Sequence, residues 1–138
     1  MSVAIKNTTE IGAYAITRTV EGSHAAAVER VTAALKEEGF GILTTIDVQA
    51  TLKAKLDRDV EPYVILGACN PGLASRGLDL EPDLGVLLPC NVVVREQGGK
   101  VIVAAMEPLA ALRLAGNPEL VPLAGEARER IERAVRSL

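Results

Sequence analysis

Two cysteines are the most reactive side chains in the chain, and each stands in a Cys-Asn pair beside a proline. The first pair lies in the run Gly67-Ala68-Cys69-Asn70-Pro71, and the second lies in the run Leu88-Pro89-Cys90-Asn91. Each pair comes where an apolar run meets a residue that breaks regular backbone structure, which is where loops expose side chains to a ligand. The sequence therefore predicts a ligand-binding site that contains Cys69, Asn70, Cys90 and Asn91.

Cys69 comes directly before a predicted helix. Asn70 is a favourable helix cap, and Pro71 suits the first helical position. Free backbone N–H groups and the positive end of the helix dipole would stabilise a thiolate at Cys69, and they would also suit an anionic ligand. The alternative is a small packing residue at a strand end, since free cysteines are often buried. Both hypotheses stay open from the sequence.

The position of Cys90 follows from a predicted hairpin. If Gly98 and Gly99 form a two-residue turn, counting back along the two strands places Cys90 opposite Glu107 on the covered face. A three-residue loop would instead pair Cys90 with Met106. A thiol beside a carboxylate could orient a ligand, accept a proton or help to hold a metal ion. We therefore expect Cys69, Cys90 and Glu107 to converge on one pocket.

Metal binding and catalysis have weaker support in the sequence. The candidate metal ligands are Cys69, Cys90 and Glu107, whereas a structural zinc site needs four close ligands, and His24, predicted to be exposed, is the only histidine. Asp47 and Glu107 are the candidate acids for proton transfer. The chain has no Gly-x-Gly-x-x-Gly motif, no P-loop and no Gly-x-Ser-x-Gly motif, so the sequence identifies no cofactor and favours no hydrolytic triad.

Composition limits the class of protein. A chain of 138 residues with 49% hydrophobic residues predicts a single domain over residues 1–138 with one core. A net charge of −3 with three aromatic residues argues against nucleic acid as a partner. There is no apolar run of about 18 residues and no long apolar stretch near the N-terminus, so we expect no membrane partner and a cytoplasmic location, where thiols stay reduced.

The order of predicted elements indicates an α+β fold. We expect a two-layer sandwich in which about five mostly antiparallel strands form a curved sheet with helices on one face. One of these strands, 40–46, places Phe40, Ile42, Thr44 and Ile46 on a single face. The Val-rich hairpin of strands 86–96 and 100–107 is apolar on both faces, whereas helices on one side cover only one of them. The exposed face therefore predicts a homodimer.

Three segments carry a resemblance to a known family. They are Phe40-Gly41-Ile42-Leu43-Thr44-Thr45-Ile46-Asp47-Val48, Tyr63-Val64-Ile65-Leu66-Gly67-Ala68-Cys69-Asn70-Pro71 and Leu88-Pro89-Cys90-Asn91-Val92-Val93-Val94. The chain resembles the bacterial and archaeal family catalogued as domain of unknown function 302, and the pair Glu107-Pro108 also fits it. The resemblance implies a fold similar to the TATA-binding-protein-like fold, and it implies dimers. It implies no particular reaction.

Three hypotheses about function follow. The first is a small cytosolic homodimer whose thiol-lined pocket binds a small ligand or a soft metal ion. The second is a thiol-dependent enzyme or redox protein in which Cys69 is the nucleophile or redox thiol. The third is an interaction module in which both cysteines only pack. The three hypotheses can be distinguished by the ionisation of the thiols, because a catalytic thiolate reacts with alkylating reagents at a pH well below the normal thiol pKa.

Overall fold

A computed structural model describes residues 8–138, which form a six-stranded antiparallel sheet packed against helices. The strand order across the sheet is β1-β2-β6-β5-β4-β3. The strands are β1 (Glu10–Ile11), β2 (Ala15–Val20), β3 (Gly41–Asp47), β4 (Tyr63–Cys69), β5 (Cys90–Gln97) and β6 (Lys100–Met106). The α-helices are α1 (His24–Glu37), α2 (Val48–Leu56), α3 (Pro71–Leu80), α4 (Pro108–Leu112) and α5 (Val121–Arg136). These elements confirm the predicted α+β class and the antiparallel sheet.

The hairpin of β5 and β6 has the predicted turn. Gly98 and Gly99 both adopt positive φ angles, 57° and 79°, as a two-residue turn between twisted strands requires. Gln97 pairs with Lys100, and the same register continues as far as the pair of Val92 with Ala105. The predicted register is therefore confirmed over these strands, and it fixes which side chains of the hairpin face the helices.

Side chains along the central strands alternate in direction, so the sheet has a covered face, which packs against the helices, and an open face on the other side. The covered face carries the buried side chains Ile16, Leu66, Val92, Val94, Val103 and Ala105. They form one hydrophobic core with buried residues of α1 and α5, among them Val31, Leu35, Ala127 and Ile131. Fully burying one such aliphatic side chain contributes about 1.5–3 kcal/mol. This core fixes the two helices against the middle of the sheet.

The open face is also apolar across its middle strands. Ile65, Val93, Ile102 and Ala104 lie at the centre of this face, and all four are only partly buried. The polar residues Asn91 and Arg95 of β5 lie on the same face, on either side of Val93. Ile46 on the edge strand β3 is 49% exposed. An apolar surface of this kind on a sheet marks an interaction surface more often than a solvated one.

One prediction about β3 is wrong. Ile42 pairs with Ala68 whereas Thr44 pairs with Gly67, so two residue steps on β3 match one step on β4. This β-bulge reverses the alternation, and the residues on either side of it therefore point to opposite faces. Ile42 lies on the covered face with Ala68, while Thr44 lies on the open face. The four residues from Phe40 to Ile46 consequently do not share one face.

No helix within residues 8–138 is both long enough and apolar enough to cross a membrane.

Candidate functional site

Cys69 is the last residue of β4, and the helix α3 begins two residues later. The side-chain oxygen of Asn70 accepts a hydrogen bond from the backbone N–H of Leu73 at 3.1 Å, and Pro71 occupies the first helical position. This arrangement confirms the predicted helix cap. Because the cap and the strand end are both fixed, Cys69 is held at the point where the sheet passes into α3.

Cys90 is the first residue of β5, and it lies beside the end of β4. Its partner across the two strands is Ala68, the residue directly before Cys69. Directly opposed residues in an antiparallel pair have their Cβ atoms about 4.5–5.5 Å apart. The sheet therefore brings the backbones of Cys69 and Cys90 close together, although 20 residues of sequence separate them.

Both cysteines line one small cavity, which we call the thiol pocket. Asn70 also lines it, beside walls that are otherwise apolar. The main apolar residues around it are Phe40, Leu73, Leu84, Leu88, Pro108 and Leu112. The cavity has a volume of about 30 Å³, which is room for about one water-sized group. A larger ligand would have to leave most of its body outside or displace a wall residue.

The two thiols have different environments. Cys90 is 9% exposed, while Cys69 is partly exposed. Burial, and to a smaller extent the neighbouring Cys69, raises the pKa of the Cys90 thiol to about 11. Burial has this effect because a charged thiolate is poorly solvated among apolar side chains. Cys90 is therefore a neutral thiol near pH 7, and the more accessible thiol of the pair is Cys69.

Glu107 lies near the pocket but does not line it. Its two carboxylate oxygens accept hydrogen bonds, each 3.0 Å long, from the backbone N–H groups of Leu109 and Ala110. It therefore caps α4, and the guanidinium Nε of Arg128 lies 3.6 Å from one of its oxygens. This geometry gives a structural reason for the pair Glu107-Pro108, since the acid caps the helix that the proline begins. The carboxylate is engaged with α4 rather than with Cys90.

Asp47 and Asn91 lie away from the thiol pocket. Asp47 ends β3 and caps α2 by accepting a hydrogen bond from Ala50 at 2.9 Å. The opposite end of β3 is Gly41, the partner of Cys69, so Asp47 lies about 20 Å along the strand at about 3.3 Å per residue. Asn91 is exposed and follows Cys90, so its side chain projects from the other face. Neither residue can act on a ligand held by both thiols.

The candidate metal ligands do not form a group. Among residues 8–138, no cluster of three or more His, Cys, Asp or Glu side chains is placed to hold a metal ion. His24 lies in the first turn of α1, but the prediction that it is exposed is wrong, because the residue is partly buried and its Nε2 lies 2.8 Å from the carbonyl oxygen of Val94. Of the six candidate site residues, the structure brings together Cys69, Asn70 and Cys90.

The apolar walls of the pocket were not predicted. Leu73 and Leu112 come from two helices, and Phe40 comes from the turn before β3, so their convergence depends on tertiary packing. One local signal existed for Leu73, because it lies four residues after Cys69, about one helical turn beyond the predicted cap. The walls determine the chemistry of the site, since the lining is mostly hydrocarbon and contains no charged residue.

Comparison with known proteins agrees with the fold and identifies the family. The family model described as Domain of unknown function DUF302 matches residues 16–138. Among solved structures, the chain is similar to the crystal structure of an uncharacterized conserved DUF302 protein from Bacillus stearothermophilus. The two chains are 30% identical with a TM-score of 0.83, over 88% of this chain and 94% of that one. Curated proteins give no significant match. The chain therefore belongs to the family Domain of unknown function DUF302.

Proposed function

We propose that this protein is a small-ligand-binding protein and that the thiol pocket receives a neutral, polarisable group of the ligand. The observation that supports this proposal is the convergence of Cys69 and Cys90 on one cavity with apolar walls. Sulfur is soft and polarisable and makes favourable contacts with other polarisable groups. A neutral group fits best, because an ion would lose its hydration among apolar walls without gaining a charged partner.

The volume of the pocket limits the ligand. About 30 Å³ accommodates about one group the size of a water molecule. The pocket therefore holds only the tip of a ligand, such as the terminal methyl of a methylthio group, while the rest of the molecule lies outside. Asn70 is the polar residue of the lining, and its carbonyl oxygen is already bonded to Leu73, so its side-chain N–H₂ group is the donor available to the ligand.

A neutral ligand is favoured over a soft metal ion. A metal ion requires thiolates, and the pKa of Cys90, raised to about 11, opposes loss of its proton. The pocket also offers two sulfurs and no third metal-binding side chain among its lining residues. The same lining contains no carboxylate and no imidazole, so no general base is positioned to activate Cys69 as an enzyme nucleophile.

The test is an NMR titration of the protein with dimethyl sulfide as a neutral soft probe. We expect saturable shifts of the Cys69 and Cys90 signals and of the methyl signals of Leu73 and Leu112. The variant Ala74→Leu should lose these shifts, since Ala74 lines the pocket from a partly exposed position on α3 where leucine favours the helix. Equal shifts in the wild-type protein and this variant would contradict the proposal.

A parallel titration with methylmercury separates the two kinds of ligand. The proposal expects this soft cation to react first with the partly exposed Cys69 and to leave Cys90 protonated. Rapid uptake by both thiols near neutral pH, with no response to dimethyl sulfide, would favour a metal site instead.

We also propose that the protein functions as a homodimer through the open face of the sheet. Five strands of six to eight residues, spaced about 4.8 Å apart and rising about 3.3 Å per residue, present a face of roughly 500 Å². Two copies would bury about 1,000 Å² in total, which reaches the lower threshold for a biological interface. A second copy supplies the same apolar surface, so the contact can be self-complementary and closed.

Sedimentation tests the dimer. Wild-type protein should sediment at twice the chain mass of 14.5 kDa, and Val93→Glu, at the centre of the open face, should sediment as a single chain. Val86→Glu is the matched control, because Val86 lies outside the sheet and is 86% exposed. A single-chain mass for the wild-type protein would refute the dimer and leave the proposal for the thiol pocket intact.

A further inference from the structure

A second and larger cavity lies between α4 and the start of α5, and we call it the Arg113 groove. Its volume is about 240 Å³. Its walls are formed mainly by Leu109, Leu112, Pro118, Leu120, Val121 and Ala124. Leu112 also lines the thiol pocket, so the two cavities adjoin at this residue. The groove is therefore a distinct apolar site on the other side of α4.

The polar side chains around the groove are those of Asn117 and Arg113, and within residues 8–138 only that of Arg113 has no partner. Asn117 donates to the carbonyl oxygen of Leu80 at 3.2 Å and to the carboxylate of Glu81 at 3.3 Å. Its own carbonyl oxygen accepts from the backbone of Glu119 at 3.0 Å. No ion pair or side-chain hydrogen bond to Arg113 occurs within the described part of the chain. An exposed guanidinium thus lies beside an apolar cavity.

We propose that the Arg113 groove binds a small amphiphilic carboxylate, with its aliphatic chain in the cavity and its carboxylate on Arg113. The planar guanidinium matches a carboxylate, which it can bind through two parallel hydrogen bonds. A single cationic side chain balances a single negative charge. An apolar cavity beside one charged group is also the usual form of a site for a small molecule.

The volume of the Arg113 groove limits the length of the ligand's aliphatic chain. At about 30 Å³ for each water-sized group, 240 Å³ accommodates about eight heavy atoms. A carboxylic acid with a tail of about seven carbons fills this space and leaves its carboxylate at the rim. Octanoate is therefore the appropriate probe. A long-chain fatty acid would leave much of its tail in water, because the cavity has room for about eight heavy atoms.

Calorimetric titration with octanoate tests the proposal on the intact protein. We expect saturable binding to the wild-type protein and about tenfold weaker binding to Arg113→Met, since one charge-assisted contact is lost. Arg58→Met is the matched control, because Arg58 is also exposed, lies outside the groove and gives the same change in net charge. Octanol, which has no charge, should bind the wild-type protein and Arg113→Met equally.

A second variant tests the position of the carboxylate without threatening the fold. Val121 is 47% exposed and is the first residue of α5, where an acidic side chain favours the helix. Val121→Asp should fold normally and should weaken octanoate binding while leaving Arg113 in place. Absence of octanoate binding to the wild-type protein, or equal affinity in Arg113→Met, would overturn the proposal.

This inference does not depend on the function proposed for the thiols. Cys90→Ser should leave the affinity for octanoate unchanged, because Cys90 lies beyond Leu112 and outside the groove. Loss of octanoate binding in Cys90→Ser would contradict the assignment of the tail to the groove and would place it in the thiol pocket.

Discussion

The buried thiol of Cys90 makes the stability of the fold depend on alkaline pH. The pKa of Cys90 is about 11 in the folded protein, against 9.0 for a free thiol. Below pH 9 the thiol is protonated in both the folded and the unfolded states, so it adds no pH dependence there. Between the two values the unfolded chain releases its proton and the folded chain keeps it. Rising pH therefore favours unfolding in this window.

The size of this effect follows from the two pKa values. Each unit of pKa difference corresponds to about 1.4 kcal/mol. The free energy of unfolding should therefore fall by about 1 kcal/mol near pH 10, and by about 3 kcal/mol in total once the pH exceeds 11. The thiolate fraction in the folded protein is also about 100-fold lower than for a free thiol, so Cys90 should be alkylated about 100-fold more slowly than a free cysteine.

Urea unfolding of the wild-type protein and of Cys90→Ala, measured from about pH 8 to pH 10, tests the magnitude. The lost side chain lowers the stability of the variant by an amount that does not change with pH. Other groups that titrate in this range are common to both proteins. The stability advantage of the wild-type protein should therefore shrink by about 1 kcal/mol between these pH values. An advantage that stays constant or grows would refute the buried, neutral state of Cys90.

Three further substitutions test the structure around the pocket by denaturant unfolding. Asn70→Ala removes the cap of α3 and should cost about 1 kcal/mol, and unchanged stability would show that the cap contributes nothing. Glu107→Ala removes two hydrogen bonds from a carboxylate that is 7% exposed, and should cost about 2 kcal/mol, whereas a loss below the uncertainty of the fit would contradict its role as a cap. Gly67→Ala places a Cβ against the hydroxyl of Thr44 and 2.9 Å from Cγ of Pro89, and should cost about 2 kcal/mol, so a neutral result would contradict this close approach.

Local signals in the sequence predicted most elements that carry the site. Asn70 followed by Pro71 predicted the start of α3 because a cap and a first-turn proline act over neighbouring residues. Gly98-Gly99 predicted the register of the hairpin because turn geometry fixes which residues face each other. These features depend on short stretches of chain, and the structure agrees with them.

Features that depend on packing between distant segments could not be predicted in the same way. The extra residue at Leu43 produces a bulge that no local pattern announces, and it places Thr44 against Gly67 on the open face. Glu107 was expected beside Cys90 because the hairpin count was extended past the end of the paired strands. Its carboxylate instead satisfies the N–H groups of α4. Capping the start of α4 thus determined the position of the Glu107 carboxylate more strongly than the register of the hairpin did.

The central claim is that Cys69 and Cys90 share one apolar pocket that holds a soft, neutral group. A crystal structure of the protein equilibrated with xenon tests it most directly, since xenon is neutral and polarisable and binds in dry apolar cavities. We expect one xenon atom in van der Waals contact with the sulfur atoms of both cysteines and with the side chain of Leu73. Sulfur atoms directed into separate environments, with no xenon between them, would contradict the claim.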